Sequence, residues 1–336
     1  MTTMLTRSAI AGASALAILA ATTLSAPAQT TMRLASATIN DVQHQWQQVF
    51  AEELAARVGD QVTVEIYPAS QLGTIPRMVE GVLFGTIESF ITPASFLVGT
   101  DPRFQVFDAP GLFDDGEHVA RVIHDPEYRD HLETFALDSG IRVIGAIYNS
   151  PILILSTTPV ETLDDFDGLK VRTFASPLQM EPMAAVGASA LPLALSEVVP
   201  ALQSGAVDGM LAGMPILTAF QYWDVAEYVT DLNFSTVVSL NVINEDWFQA
   251  QPEEVRTAIL EAGRAAEEAV LQWGIDNVAN ANQLWLDNGG QILELSAEEQ
   301  AEMEALFAEV AAGVLESDPA VWAEYERLRD LAEATR

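Results

Sequence analysis

The longest helix predicted from the sequence lies in residues 252–290, PEEVRTAILEAGRAAEEAVLQWGIDNVANANQLWLDNGG. Proline followed by two glutamates is typical of a helix start, and Asn-Gly-Gly is typical of a helix stop. An unbroken helix of about 36 residues would be about 54 Å long, because each residue adds 1.5 Å. That length exceeds one small lobe. The segment therefore predicts two lobes with one long helix running along both.

The chain ahead of this helix alternates strands and helices, first from residue 31 and again after residue 150. In residues 61–68, QVTVEIYP, every second side chain is apolar, which indicates a half-buried strand. Alternation of strands and helices predicts parallel sheets that bind ligands at the carboxyl ends of their strands. The second run indicates a second α/β unit, and residues 149–151, NSP, are the predicted crossing between the units. After the long helix, residues 296–331 predict one or two further helices.

The composition excludes several classes of partner and site. The chain has 48 acidic and 15 basic residues and a formal net charge of −33, so nucleic acid and anionic membrane surfaces would repel it. It contains no cysteine, which excludes disulfides, cysteine metal sites and a lipid attached to cysteine. With 49% hydrophobic and 19% charged residues, the chain is expected to fold.

The first 28 residues are typical of a secretory signal peptide. One early cation, Arg7, precedes an apolar run from Ala9 to Ala21, and the small residues Ala26-Pro27-Ala28 follow. The alternative is a membrane anchor, but the apolar run is too short to span a bilayer comfortably. We expect cleavage after Ala28 and export of the mature protein.

Motifs of catalysis and metal binding are missing from the sequence. There is no Gly-x-Ser-x-Gly, phosphate-loop, His-Glu-x-x-His or Gly-x-Gly-x-x-Gly pattern. His118, His124 and His131 are spaced by six and seven residues, which favours a solvated helix face over a metal site. The many carboxylate pairs are expected to be surface charge. We therefore predict no enzyme activity, no metal and no cofactor.

Residues 166–177, FDGLKVRTFASP, contain an isolated pair of cations. Lys170 and Arg172 are the only basic residues between Arg142 and Arg256. Arg172 lies at the end of a predicted strand, where a ligand of an α/β protein binds. Its planar guanidinium matches the geometry of a carboxylate, so it is a candidate anchor for a small organic acid.

A second interpretation of Arg172 is a surface ion pair with Asp164, Asp165 or Asp167, and spacing alone leaves the two interpretations open. Lys170 is expected to remain solvated. The aromatic cluster at residues 220–223 is likewise open between a ligand cavity and a hydrophobic core.

Four segments together resemble the DctP-type solute-binding proteins of TRAP (tripartite ATP-independent periplasmic) transporters. They are VTVEIYPASQLGTIPRMVEGVLFGTIE (62–88), APGLFDDGEHVARVI (109–123), TLDDFDGLKVRT (162–173) and SEVVPALQSGAVDG (196–209). The segments occur in the family's order, and the resemblance covers essentially the whole mature chain.

The resemblance implies a two-lobed α/β, Venus-flytrap fold with a long shared helix. Lobe I would comprise residues 29–149 and about 236–275, and lobe II residues 150–235 and about 276–336. It also implies that Arg172 pairs with a substrate carboxylate. The implied function is capture of a small organic acid in the periplasm and delivery to a small four-helix membrane subunit and a large permease.

Two departures from the family pattern bear on the ligand. Residues 210–215, MLAGMP, stand where many members have a polar triplet, and Ile152 stands where sialic-acid binders have a second arginine. These departures favour a monocarboxylate with an apolar or aromatic body. The predicted substrate-binding residues are Arg172, Asn149, Gln71, Thr173, Phe174, Met210, Met214 and Trp223.

Three alternative functions remain open at this level. The protein could serve a sensor or another class of transporter, it could be a secreted α/β enzyme, or it could be purely structural.

Overall fold

The computed structural model describes residues 30–336, so the predicted signal peptide lies outside the described residues. The strands are β1 Thr30–Ser36, β2 Val62–Tyr67, β3 Ser89–Pro93, β4 Ile141–Ser156, β5 Lys170–Thr173, β6 Ser189–Pro192, β7 Gly209–Ala212, β8 Tyr228–Asn244 and β9 Gln291–Glu294. The helices are α1 Val42–Val58, α2 Ile75–Leu83, α3 Gly116–Ile123, α4 Pro126–Leu132, α5 Pro177–Ala185, α6 Leu195–Ser204, α7 Met214–Ala219, α8 Glu245–Gln249, α9 Glu253–Asp287, α10 Ala297–Glu316 and α11 Pro319–Thr335.

One sheet connects the whole described chain, in the order β2-β1-β3-β8-β4-β7-β5-β6, with β9 on β8. Its two ends are parallel: β1 pairs with β2 and β3, and β5 pairs with β6 and β7. Between them lie the two longest strands, β4 with 16 residues and β8 with 17, which pair antiparallel along their full length. Two parallel α/β units therefore share a two-stranded ribbon.

The ribbon is irregular near its middle. The pairing of β4 with β8 shifts register between Tyr148 and Ser150 and again between Pro151 and Leu153. Such bulges bend a strand and increase its twist locally. Residues 149–151, the crossing that the sequence predicts, lie at these shifts.

Alternation of side chains along each strand places helices on both faces of each unit. In β1, Leu34 packs in a cluster with α1 and α9, whereas Ala35 packs in a cluster with α2 and α3. In β7, Met210 packs with α6 and α7, whereas Leu211 packs with α5 and α10. Each unit is therefore a three-layer sandwich with its own core, as a side-chain period of two in the strands requires.

Helix α9 confirms the predicted long helix. Its 35 residues give a length of about 52 Å. Ile259 and Ala266 pack in the core of the first unit against α1, and Ala281 and Trp285 pack in the core of the second unit. The helix therefore runs along both units.

The C-terminal helices differ from the sequence prediction, which assigned residues 276–336 to lobe II. Met303 and Phe307 of α10 do pack in the second unit, but Val321 and Leu328 of α11 pack in the first unit's core with Phe104. We therefore propose a first lobe made of β1–β3, α1–α4 and α11 and a second lobe made of β5–β7, β9 and α5–α7. The two lobes share β4, β8, α9 and α10.

The solvated helix face predicted for the histidines is wrong. His118 is fully buried and its Nε2 donates to the carbonyl oxygen of Ala332 at 2.9 Å, which ties α3 to α11. His124 lies just after α3 and bonds the carbonyl oxygen of Ala146, and His131 in α4 bonds Glu324. Partners this distant in sequence cannot be seen in local spacing.

Within residues 30–336, no helix combines the length and the apolar character needed to cross a bilayer.

Substitution of Gly263 in α9 tests how closely the shared helix must approach the ribbon. A Cβ atom there would lie 2.0 Å from the carbonyl oxygen of Ile144 in β4. Gly263→Ala should therefore lower the free energy of unfolding by about 2–3 kcal/mol, measured by urea denaturation. Gly313 in α10 has no atom within 4 Å of its virtual Cβ, so Gly313→Ala should raise stability by up to about 1 kcal/mol. Equal effects of the two substitutions would contradict the close approach.

Candidate ligand-binding site

A cavity lies between the two lobes and encloses about 450 Å³ of space, including its opening to solvent. Residues from both lobes and from the ribbon form its wall: Ala37, Thr38, Gln43, Ile75, Pro93, Phe96, Asn149, Arg172, Phe174, Leu195, Met210, Ala212, Gly213, Ile216 and Val237. Most of these side chains are apolar, and among the described residues Arg172 is the only charged one in this wall.

Arg172 is only 2% exposed, and hydrogen bonds to two backbone carbonyls position its guanidinium in the wall. Its Nε donates to the carbonyl oxygen of Leu193 at 3.0 Å, and its Nη1 donates to that of Leu211 at 3.2 Å. Both carbonyls belong to the backbone next to β5, because β5 lies between β6 and β7. Within residues 30–336, Nη2 has no hydrogen-bond acceptor, so part of the donor fork is left for a ligand.

Two phenylalanines from opposite lobes contact the guanidinium. Its carbon lies 5.6 Å from the ring centre of Phe96 and 5.1 Å from that of Phe174. The two ring centres are 5.5 Å apart, so the lobes touch directly beside the charge. Aromatic rings stabilise a cation electrostatically and exclude water from it.

The structure contradicts one of the two interpretations of Arg172, the surface ion pair with Asp164, Asp165 or Asp167. Among the described residues no carboxylate forms an ion pair with it, and the neighbouring Asp165 instead caps the backbone of Glu161 and Thr162. Burial lowers the pKa of Arg172 to about 10, an effect that Tyr222 opposes, so the guanidinium stays charged at neutral pH. A buried charge without a counter-ion is unfavourable, which makes the site receptive to an anion.

Lys170, two residues before Arg172, lies in a different environment. Its side chain is partly exposed, and its Nζ lies 3.3 Å from Asp208 Oδ1 and donates to the carbonyl oxygen of Gly205. It is therefore paired at the surface rather than simply solvated, and it is not part of the cavity wall.

A few polar groups lie on the first-lobe and ribbon side of the cavity. The Thr38 hydroxyl is buried, and Gln43 donates to Asp41, the residue that caps helix α1. Asn149 of β4 donates to the Ser239 hydroxyl at 3.1 Å. These groups can meet a second polar group of a ligand whose carboxylate binds Arg172.

The structure brings half of the predicted site residues into the wall, namely Arg172, Asn149, Phe174 and Met210. The other half lie elsewhere. Gln71 is exposed in the loop before α2, and Thr173 is buried outside the cavity wall. Met214 lies in the core of the second lobe, where Trp223 packs against Trp285 at 6.1 Å between ring centres. Tyr222 of the aromatic cluster is therefore part of the core, and Phe220 and Trp223 are partly buried and pack against it.

Several wall residues were missed at the sequence level although a signal existed. Thr38 follows β1, Phe96 follows β3 and Gly213 follows β7, so each lies at the carboxyl end of a parallel strand. The rule that led to Arg172 applies equally to these positions. What distinguished Arg172 was its charge, a signal that these neutral side chains lack.

Within the described part of the chain, no group of three or more His, Asp or Glu residues is arranged to hold a metal ion.

Comparison with known proteins places the chain in a family. The sequence profile of the bacterial extracellular solute-binding proteins, family 7 (DctP), matches residues 35–318. The chain belongs to the DctP family. The C4-dicarboxylate-binding periplasmic protein DctP of Rhodobacter capsulatus is 30% identical over 77% of this chain and 78% of its own length.

Solved structures agree with this assignment. A TRAP periplasmic solute-binding protein of Desulfovibrio salexigens with bound orotic acid is 25% identical, with a TM-score of 0.85 over 91% of this chain and 99% of that one. Another from Shewanella oneidensis, with bound succinate, is 23% identical and has the same fold, with a TM-score of 0.83 over 92% of this chain and 99% of that one. The predicted two-lobed α/β fold and the predicted DctP family are thereby confirmed.

The pH dependence of binding follows from the pKa of Arg172. Because this pKa is lowered only to about 10, the guanidinium remains protonated across the neutral range, and a bound carboxylate further favours its charged form. Affinity for an acid ligand should therefore be constant from about pH 7 to about pH 9 and fall only above about pH 10. Titration calorimetry across this range measures it. A loss of affinity with a midpoint near neutral pH would contradict Arg172 as the group that binds the anion.

Proposed function

We propose that this DctP-family protein captures a small monocarboxylate in the cavity between its lobes and delivers it to the membrane subunits of a TRAP transporter. The observation that carries the proposal is Arg172, a rigid, buried and uncompensated positive charge in the cavity wall. A carboxylate accepts two parallel hydrogen bonds from a guanidinium and supplies the missing negative charge.

The ligands of related proteins support an acid. Orotic acid, succinate and β-D-galacturonate, which occupy TRAP solute-binding proteins of this fold, each carry a carboxylate. The chain carries a net charge of −33, so its overall field repels such a ligand. Recognition must then depend on the local field of Arg172 inside a water-poor cavity, where electrostatic attraction is stronger.

The cavity wall favours a ligand with an apolar body. Beyond the guanidinium, Met210, Ile216 and Val237 offer no hydrogen bonds, and the polar groups are limited to Thr38, Gln43 and Asn149. A sugar acid would leave several hydroxyl groups unpaired on burial, and each unpaired group is unfavourable. A second carboxylate would meet no second cation. An aliphatic or aromatic monocarboxylate fits these constraints best.

Binding is proposed to proceed by closure of the lobes. Arg172 and Phe174 belong to the second lobe, whereas Thr38 and Phe96 belong to the first, so a ligand between them bridges both. The shared strands β4 and β8 connect the lobes, and their register shifts near residues 149–151 are suited to bending.

The proposed location is the periplasm. As a cleavable signal peptide, residues 1–28 would direct the mature protein there. The DctP protein of Rhodobacter capsulatus and a relative in Escherichia coli, the 2,3-diketo-L-gulonate-binding protein YiaO, are both named as periplasmic. Transport of a radiolabelled ligand by cells that contain the small and large TRAP subunits, with and without this protein, tests delivery. Uptake without those subunits would instead favour another transporter class, and binding without any uptake would favour a sensor.

Arg172 and Lys170 form a matched pair for testing the anchor. Arg172→Gln keeps a polar side chain but removes the charge, and it should weaken binding by about 3 kcal/mol, on the order of 100-fold. Lys170→Gln removes a charge two residues away at the surface and should leave affinity unchanged. Calorimetry gives both affinities, and thermal unfolding checks that both variants fold. Near-wild-type affinity of Arg172→Gln would refute the anchor.

The ligand class is tested with a panel of acids. Pivalate and benzoate, which combine one carboxylate with an apolar body, should raise the melting temperature and bind more tightly than succinate and galacturonate. The expected difference is at least about tenfold, because each unpaired polar group or unmatched charge costs about 1–3 kcal/mol. Tight binding of galacturonate alone would overturn the apolar ligand class. Mass spectrometry of the acid that co-purifies with the protein gives an independent answer.

A further inference from the structure

A polar contact joins the two lobes next to the cavity. Asp108 ends the 3₁₀ segment Pro102–Asp108 of the first lobe and is 2% exposed. Its Oδ1 accepts a hydrogen bond from the Ser95 hydroxyl of the same lobe at 2.7 Å and another from Nε2 of Gln179 in α5 of the second lobe at 3.2 Å. Ser95 and Gln179 are buried as well.

This contact lies beside the place where Phe96 and Phe174 cover Arg172. Ser95 directly precedes Phe96, and Gln179 lies in the helix that follows Phe174, and these two rings meet beside the guanidinium. The residue before Gln179, Leu178, packs in the core cluster of the first lobe although it belongs to α5. The first turn of α5 therefore contributes both an apolar and a polar contact to the opposite lobe.

These contacts between the lobes are lost when the lobes separate. Opening the cleft would hydrate Asp108 and Gln179 and break the bond between them, since they lie on different lobes. We propose that Asp108 and Gln179 are positioning residues that form a latch: their hydrogen bond stabilises the closed conformation, keeps Phe96 beside Arg172 and slows release of the ligand, without touching the ligand.

The protonation state of the Asp108 carboxyl group is consistent with its role as a hydrogen-bond acceptor in the latch. Burial raises the pKa of Asp108 to about 6, and the hydrogen bonds from Ser95 and Gln179 oppose that shift. The carboxylate is therefore ionised at neutral pH and accepts the bond from Gln179. Because a buried carboxylate loses its hydration when the cleft closes, the net stabilisation is moderate, and the cleft can still open.

The first test compares two buried glutamines. Gln179→Met keeps the length and volume of the side chain but removes the donor, whereas Gln105→Met removes an amide that bonds only Pro102 within the first lobe. With benzoate as the probe, Gln179→Met should speed ligand dissociation about tenfold in stopped flow, while Gln105→Met should leave the rate unchanged. The melting temperatures of the two ligand-free variants should be similar, which separates a latch from a general loss of stability.

The second test measures the distance between the two lobes directly, and it does not depend on any ligand. Because the chain lacks cysteine, Arg77→Cys in α2 and Gln203→Cys in α6 allow two exposed spin labels, one on each lobe. The fraction of closed molecules, read from the distance distribution, should fall in Gln179→Met and Asp108→Ala. Asp108→Asn, which keeps an acceptor oxygen, should restore it.

The outcomes of the two tests are distinct. Only the first test of the latch, which measures release of an acid, rests on the proposed function. If no acid binds the wild-type protein, the proposed function fails, and the distance distributions still decide the latch. Equal closed fractions in Gln179→Met and Gln105→Met, or additive effects of Asp108→Ala and Gln179→Met on those fractions, would overturn it.

Discussion

A positive charge buried without a carboxylate partner is the constraint on which the binding site depends. Arg172 can be buried because two backbone carbonyls and two aromatic rings replace water around part of its guanidinium. Those groups do not neutralise it, since a carbonyl and a ring carry no net charge. The chain contains 48 acidic residues, yet none among those described forms an ion pair with this arginine. On the proposed function, an anion from solution supplies the counter-ion, and it enters between the lobes to reach the charge.

The shared elements determine how such a site can open. Strands β4 and β8 pass through both lobes, and helix α9 packs first on one core and then on the other. The lobes are therefore joined by continuous backbone rather than by a loose linker, and the bulged middle of the ribbon is where we expect them to bend. The close approach of Gly263 to Ile144 attaches the long helix to the ribbon on the first-lobe side.

Prediction from the sequence was most successful where the signal is local. The long helix between Pro252 and Asn288 has its start, its stop and its apolar positions within one segment, and the structure agrees nearly to the residue. The strand that ends near Arg172 was likewise found. The assignment of α11 to the second lobe was not supported, because a helix's own sequence does not say which of two apolar surfaces it covers. Leu328 packs with Phe104, more than two hundred residues earlier in the chain.

The sequence by itself determined the class of fold, the place of the one unusual cation and, through its motifs, the family. It also limited the partners, because charge and the absence of cysteine are properties of composition. Only the tertiary structure excluded a surface ion pair for Arg172, and only it brought Thr38 and Phe96 to the same cavity while packing Trp223 against the core of the second lobe. The physical reason is that hydrogen bonds and packing act over a few ångströms. Such distances between residues far apart in the chain are set by how the strands pair and how the helices pack, not by their spacing in sequence.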